Sequence, residues 1–410
     1  MNLKRLDNWL AVPQARLGSL GLIALLVLSS LVTPLAIDMY APAIPHMTEY
    51  FSTTVDTVNL TLTGYFAFLA VSLLFWGPLS DRFGRKPVQL AGFGAYTLAG
   101  ALCALAPNIY FLIAMRILQA LGAGAISAVS MAIIKDAIKP ERREVALSVV
   151  QVMFVIGPVV APVVGALILQ VADWRMTFWV LATVGGLCTV LSALFKETLS
   201  HEERYLGSIF GSIKRLGAVM KNKSFLTFLL IISVVNLPFM AYISIGSYVY
   251  ISFFGLSSLQ YSLFFAVTSL VSALGPFIWL TVSKHTTARK FTTVVMLIAL
   301  ATGVALLTVG PLSPFVFCAL MLVFSLVTSS MRPYTSNILL SQQEGDTGSA
   351  SSLINFTFTM MGCLGMLLAV LPWANFVVGI GMVMTGALTL SLIGWFAFLR
   401  SSIPLKGIKD

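Results

Sequence analysis

The chain has 410 residues, 58% of them hydrophobic and 10% charged, and a formal net charge of +10. No soluble core could bury that much apolar surface, so the composition excludes a soluble domain and indicates an integral membrane protein. The basic residues fall in alternate loops rather than in one patch, which excludes nucleic acid as the reason for the positive charge.

Apolar stretches predict twelve spans, at 17–42, 57–79, 87–106, 109–137, 144–170, 175–195, 225–253, 259–282, 290–310, 314–339, 348–371 and 375–399. Helices satisfy their own backbone hydrogen bonds in lipid, and the short alternation of an outer-membrane barrel is absent. The expected fold is all-α integral membrane, with two six-helix halves at 1–195 and 225–410. Residues 196–224, with six basic and three acidic side chains, form the linker. Within it "GSIFGSIKRLGAVM", residues 207–220, has the amphipathic spacing of a helix lying on the inner membrane surface.

Orientation follows from the basic residues. With the N-terminus inside, the inner segments collect Lys4, Arg5, Arg16, Arg82, Arg85, Lys86, Lys135, Lys139, Arg142 and Arg143. They then collect Lys196, Arg204, Lys214, Arg215, Lys221, Lys223, Lys284, Arg289, Lys290, Arg332, Arg400, Lys406 and Lys409. Arg116 lies in a span, leaving Arg175 alone outside, a split of 23 to 1 that places both termini in the cytoplasm. Cys103, Cys188, Cys318 and Cys363 sit within spans and read as small packing residues without disulfide or metal roles. His46, His201 and His285 are too scattered for a metal site.

The first span ends in "AIDMYAPAIPHM", residues 36–47, which leaves Asp38 in an apolar helix. At 1.5 Å per residue Asp38 lies about 30 Å from the inner end of its helix, and Arg116 about 10 Å below the outer end of the fourth. Their depths match, and each charge in a span needs a partner or water, so a direct or water-bridged Asp38–Arg116 contact is expected. Burial disfavours a bare carboxylate whereas a nearby guanidinium favours it, so the pair can act as a proton switch.

The loop after the second span reads "GPLSDRFGRKPV", residues 77–88. Gly77 is expected to let helices approach closely, Gly84 to permit a tight reversal, and Pro87 to suit the first turn of the third helix. Asp81 can pair with Arg85 and face a neighbouring helix N-terminus. Asp136, at the end of the fourth span, completes a charge cluster at the inner rim.

These residues closely resemble the loop motif of the major facilitator superfamily. "RILQALGAG" at 116–124 is similar to the helix-4 motif of its proton-coupled drug exporters, and "GPVVAPVVGA" at 157–166 to their helix-5 antiporter motif. "DMYAPAIP" at 38–45 and "WRMTF" at 174–178 resemble the bicyclomycin and chloramphenicol-resistance branch. The resemblance implies that Asp38 is the competing proton and substrate site and that Arg116 assists its proton exchange. It gives Gly157, Pro158, Pro162 and Gly165 a role in keeping the antiporter from leaking, and pairs Asp136 with Arg85. Ala161 and Ala166 stand where that motif usually has Gly, and "SKHTTARK" at 283–290 lacks the Asp and Gly residues of its counterpart. Ser30 stands where some relatives carry a second acid, so about one proton per cycle is expected.

Candidates for the substrate surface are Tyr40, Tyr65, Gln119, Ala120, Ala123, Met153, Phe154, Asn236, Phe239, Met240, Phe265, Asn355 and Phe358. Aromatics and Met give a broad apolar surface and a few amides orient the ligand. The expected function is a proton-coupled multidrug efflux antiporter of the bacterial inner membrane, exporting lipophilic neutral or cationic compounds, chloramphenicol-like antibiotics among them, by alternating access. Its partners are small lipophilic molecules, protons and the bilayer; a monomer is expected, without nucleic acid, metal or any cofactor beyond the coupling proton. The alternatives are a narrow-specificity metabolite exporter or proton symporter of the same fold, and a membrane-bound enzyme. His clusters, an HExxH site and the phosphate-binding GxxxxGK[ST] pattern are all absent from the sequence, so no enzyme is expected.

Overall fold

The computed structural model describes residues 9–200, 202, 204, 216–343 and 347–408. Twelve helices among them are long and apolar enough to cross a membrane. The spans at 109–137 and 175–195 recur nearly residue for residue, as Ile109–Ala137 and Arg175–Leu194. The fifth begins at Pro140 rather than 144, because its first turn is built from charged residues that an apolar window cannot detect.

The first span is a broken helix. It comprises α1 (Gly18–Asp38), a short 3₁₀ turn (Ala41–Ala43) and α2 (Ile44–Tyr50). Pro42 has no N–H to give the carbonyl of Asp38 and Pro45 none to give that of Ala41, so regular α-helical bonding cannot pass this point. The span therefore runs on to Tyr50, and Asp38 ends its first segment instead of lying near its outer tip. The seventh span breaks in the same way. Pro238 cannot bond the carbonyl of Val234, and α8 (Lys223–Val234) gives way to α9 (Leu237–Ser247) and a wider turn at Tyr248–Phe253.

The remaining helices are α3 (Val55–Phe83), α4 (Arg85–Ala104), α5 (Ile109–Ala137), α6 (Pro140–Val171) and α7 (Arg175–Leu194), then α10 (Ser258–Val282), α11 (Ala288–Thr308), α12 (Pro314–Ser341), α13 (Thr347–Ala369) and α14 (Phe376–Arg400). By contacts the chain divides into two compact units. One holds Met1–Ala43, Tyr50–Thr53 and Leu60–Ile209; the other holds Ile44–Glu49, Thr54–Asn59 and Phe210–Asp410. In the first, α4 packs on α5 and α7, and α1 on α6 and α7. In the second, α10 packs on α12, α9 on α13, and α11 on α14.

Two short segments from the first and second spans thus belong with the second unit. Asn59, buried there, donates from Nδ2 to the Met366 carbonyl at 3.0 Å and accepts from the Ser244 hydroxyl. The Tyr248 hydroxyl donates to the Ile44 carbonyl at 3.4 Å. Of the amphipathic stretch 207–220, residues 207–215 lie outside the described residues, as do Lys4, Arg5, His201, Lys214, Arg215 and Lys409; residues 216–220 are helical.

Candidate functional site

Asp38 is 5% exposed and stands at the break between α1 and α2. Arg116, on α5, is fully buried. The helix break explains where its guanidinium goes. Ala36 lies in the last turn of α1, where carbonyls lose their intrahelical partner, and Arg116 Nη1 donates to the Ala36 carbonyl at 2.8 Å. The same nitrogen donates to Gln119 Oε1, one turn along α5, also at 2.8 Å. The rings of Tyr65, Tyr40 and Phe178 stand 4.4, 5.2 and 5.7 Å from the guanidinium carbon, a cation–π enclosure. Arg116 Nε and Nη2 have no hydrogen-bond partner among the described residues.

The expected direct ion pair between Asp38 and Arg116 is not formed; the ion pairs among the described residues are Arg85–Asp81, Arg85–Asp136 and Arg175–Asp173. Arg116 instead grips the backbone two residues before Asp38, with two donors free. Tyr40 and Tyr65, expected on the substrate surface, belong to the enclosure around Arg116, and Tyr40 shares a 3.1 Å hydroxyl contact with Thr61. Ala120 and Ala123 are fully buried on the same helix.

The antiporter-motif glycines of α6 pack against this break. A Cβ on Gly165 would strike the Met39 carbonyl oxygen, and one on Gly157 would strike the Pro34 ring. Two glycines eight residues apart therefore clasp α1 on either side of its last turn, Gly165 against backbone and Gly157 against the Pro34 ring. Pro158 and Pro162 lie inside the helix between them, and Pro162 is buried.

At the start of α4 the loop motif forms a compact charge cluster. Arg85 Nε donates to Asp136 Oδ2 at 2.8 Å, and its Nη1 donates to Asp81 Oδ1 at 2.6 Å and to Ser80 Oγ at 2.7 Å. The Arg85 side chain is 8% exposed, against 18% for Asp136 and 51% for Asp81. Gly84 has φ +103°, a conformation L side chains rarely adopt. A residue the sequence reading missed completes the cluster. Glu197, just past α7, accepts from the backbone N–H groups of Arg85 and Lys86 through its two oxygens, each at 3.0 Å. It caps the first turn of α4, where helix N–H groups point outward and favour an anion. The carboxylate in "KETL" at 196–199 was the available signal, but its partner lies 112 residues away in sequence. Gly77 departs from expectation: a Cβ there would meet nothing within 4 Å, so it serves no close helix approach.

In the second unit a cavity of about 100 Å³ is lined by Asn236, Phe239 and Phe358, three of the expected substrate residues, and by Ser272, Thr328 and Arg332 among others. Asn236, at the α8–α9 break, donates from Nδ2 to the Phe358 carbonyl at 2.8 Å. Arg332, assigned from sequence to an inner loop, instead sits inside α12 and is exposed at the cavity wall. Phe265 belongs to an aromatic core, with its ring 5.7 Å from Tyr242 and 5.9 Å from Tyr261. Met240 packs beside Gly362. Met153 is half-buried and Phe154 exposed on α6, while Asn355 is exposed and turns its amide onto the Ser351 carbonyl at 3.1 Å.

Residues 26–366 match the family model described as Major Facilitator Superfamily. The chain belongs to the Major Facilitator Superfamily. The matched stretch takes in the α1 break, the charge cluster, the α6 clasp and Arg332. Its relatives include the uncharacterized MFS-type transporter YdgK of Bacillus subtilis strain 168, 36% identical over 220 residues, which cover 53% of this chain and 55% of that protein. The multidrug resistance protein MdtL of Escherichia coli strain SMS-3-5 is 36% identical over 169 residues, 41% of this chain and 43% of that protein. The matches thus span about half the length of these relatives. Among solved structures, a bacterial homologue of the human lysosomal transporter Spinster superposes with a TM-score of 0.75 at 16% identity, covering 96% of this chain and 98% of that one. At that identity the likeness concerns the fold alone. The fold and family are those of multi-pass membrane transporters.

Proposed function

We propose that the chain is a proton-coupled efflux antiporter of the bicyclomycin and chloramphenicol-resistance branch. It exports lipophilic small molecules, neutral or cationic, by alternating access. The observation that carries this reading is the buried Asp38 carboxyl at a helix break, two residues past the Ala36 carbonyl that Arg116 holds, with Arg116 Nε and Nη2 unpartnered among the described residues. When Asp38 is protonated, Arg116 stays on the Ala36 carbonyl and Gln119. When Asp38 gives up its proton, the unpaired Nε and Nη2 of Arg116 can turn to the new charge, so the two protonation states favour different local arrangements. The membrane potential contributes about 2.3 kcal/mol per proton per 100 mV to the exchange.

The α6 clasp supports a role in limiting leak, because it packs against Pro34 and Met39, on either side of the titrating residue. The cluster of Arg85, Asp81, Asp136 and Glu197 is read as the cytoplasmic gate, its charged groups able to part and re-pair as that end opens. The chain is placed in the bacterial inner membrane as a monomer, with both termini in the cytoplasm. The name of the MdtL relative supports drug efflux.

The test is chloramphenicol efflux from proteoliposomes under an imposed proton gradient, with proton movement followed in parallel. Wild-type protein is expected to couple the two fluxes and Asp38→Asn to uncouple them. Full proton-driven export by Asp38→Asn defeats the proposal.

A further inference from the structure

The cavity of the second unit contains one cation and no acid. Arg332 reaches it from the interior of α12, nine residues before the helix ends at Ser341, about 13 Å at 1.5 Å per residue. No Asp or Glu occurs between residues 225 and 343. Among the described residues the Arg332 guanidinium takes part in none of the three ion pairs and in no side-chain hydrogen bond, the contact with Thr335 being to its backbone carbonyl. A charged side chain left without a partner inside a membrane span is costly, and such residues mark ligand or ion pathways.

Of the six other polar side chains around the cavity, all but Ser272 turn a donor onto the backbone. Thr328 donates to the Phe324 carbonyl at 2.7 Å, Ser329 to the Ser272 carbonyl at 2.7 Å, Thr335 to the Met331 carbonyl at 2.7 Å, and Asn236 to the Phe358 carbonyl at 2.8 Å. The guanidinium, with its planar fork of N–H groups, is therefore the concentrated source of free donors. The rings of Phe239 and Phe358 line the same space. At about 100 Å³ the space suits one end of a molecule rather than a whole drug-sized ligand, which takes roughly 300 Å³ or more.

We infer that this cavity is a subsite for the anionic end of a small amphipathic organic acid, with a carboxylate or comparable oxyanion on Arg332 and an apolar body against Phe239 and Phe358. The inference rests on the reading of the chain as an exporter of lipophilic molecules and changes the charge expected of part of its cargo. A carboxylate fits the guanidinium fork in two parallel hydrogen bonds, an amide offers one neutral acceptor, and an ammonium group is repelled.

The test is calorimetric titration of the detergent-purified full chain with 1-naphthaleneacetate, 1-naphthaleneacetamide and 1-naphthylmethylammonium, with protein-free micelles as reference. Wild-type protein is expected to bind the acid at least about tenfold more tightly than the amide. Arg332→Gln should bring that ratio close to one, weakening the acid far more than the amide, and Arg332→Lys should retain part of the preference. Asn236→Asp, which supplies a carboxylate at the cavity wall with Arg332 in place, should also abolish it, and serves if Arg332→Gln fails to fold. Equal binding of acid and amide by wild-type protein, or a preference that survives Arg332→Gln, overturns the inference. Displacement of the acid by phosphatidylglycerol but not by phosphatidylcholine overturns the small-molecule assignment in favour of a lipid headgroup. Binding is measured without a proton gradient, so failed efflux with retained acid preference defeats the antiport reading alone.

Discussion

The guanidinium of Arg116 holds the carbonyl oxygen of Ala36 at 2.8 Å, inside the last turn of α1 and two residues before Asp38. One nitrogen of the arginine thereby replaces a backbone partner that the proline-broken helix no longer supplies. Its Nε and Nη2 donors have no partner among the described residues, and the proposed switch uses them for the carboxylate. Arg116→Lys keeps the charge but has no fork that can hold Ala36 and Gln119 while reaching Asp38. With charge-assisted hydrogen bonds contributing about 1.5–3 kcal/mol each, proton-coupled efflux should fall at least about tenfold, measured as initial rate in proteoliposomes.

Asp38 also predicts how ligand binding depends on pH. If proton and cargo compete for it, affinity of the wild-type protein for a cationic ligand rises as pH rises through the titration of Asp38. Asp38→Asn should bind such a ligand weakly and with no such dependence, read by ligand titration across a series of pH values.

Gly165 and Gly77 separate a packing role from a merely motif-like position. Gly165→Ala drives a methyl group into the Met39 carbonyl, a backbone atom that cannot swing aside, and should cost about 1–3 kcal/mol. Gly77→Ala meets open space and should leave stability within about 0.5 kcal/mol or raise it slightly through helix propensity. Melting temperatures of the two variants in one detergent compare them.

Within the charge cluster the better-shielded acid should matter more. Asp136, 18% exposed, is less screened than Asp81 at 51%, so Asp136→Asn should lower the melting temperature more than Asp81→Asn. Glu197→Ala removes the acceptor of two α4 N–H groups and should cost about 1 kcal/mol, with faster hydrogen exchange at the amides of Arg85 and Lys86.

Asn59 gives a check on the second unit. Asn59→Val leaves the Ser244 hydroxyl without its buried acceptor and removes the amide bond to Met366, and should cost about 1–3 kcal/mol in thermal stability.

Apolar run length by itself determined the twelve spans, because a helix in lipid satisfies its backbone locally and needs no distant partner. The helix breaks were also written locally, in Pro42, Pro45 and Pro238, although composition alone did not draw attention to them. The pairing of Arg85 with Asp81 was legible because the two stand one helical turn apart. What only the tertiary structure decided are the contacts between helices remote in sequence: the Ala36 carbonyl on Arg116, Glu197 on the first turn of α4, and Gly165 against Met39. Each joins a backbone group to a residue far along the chain, and a backbone group has no letter in the sequence. Arg332 shows the same limit. Basic residues near span ends normally turn toward the interface, and only packing around α12 decides that this one lines a cavity without acids.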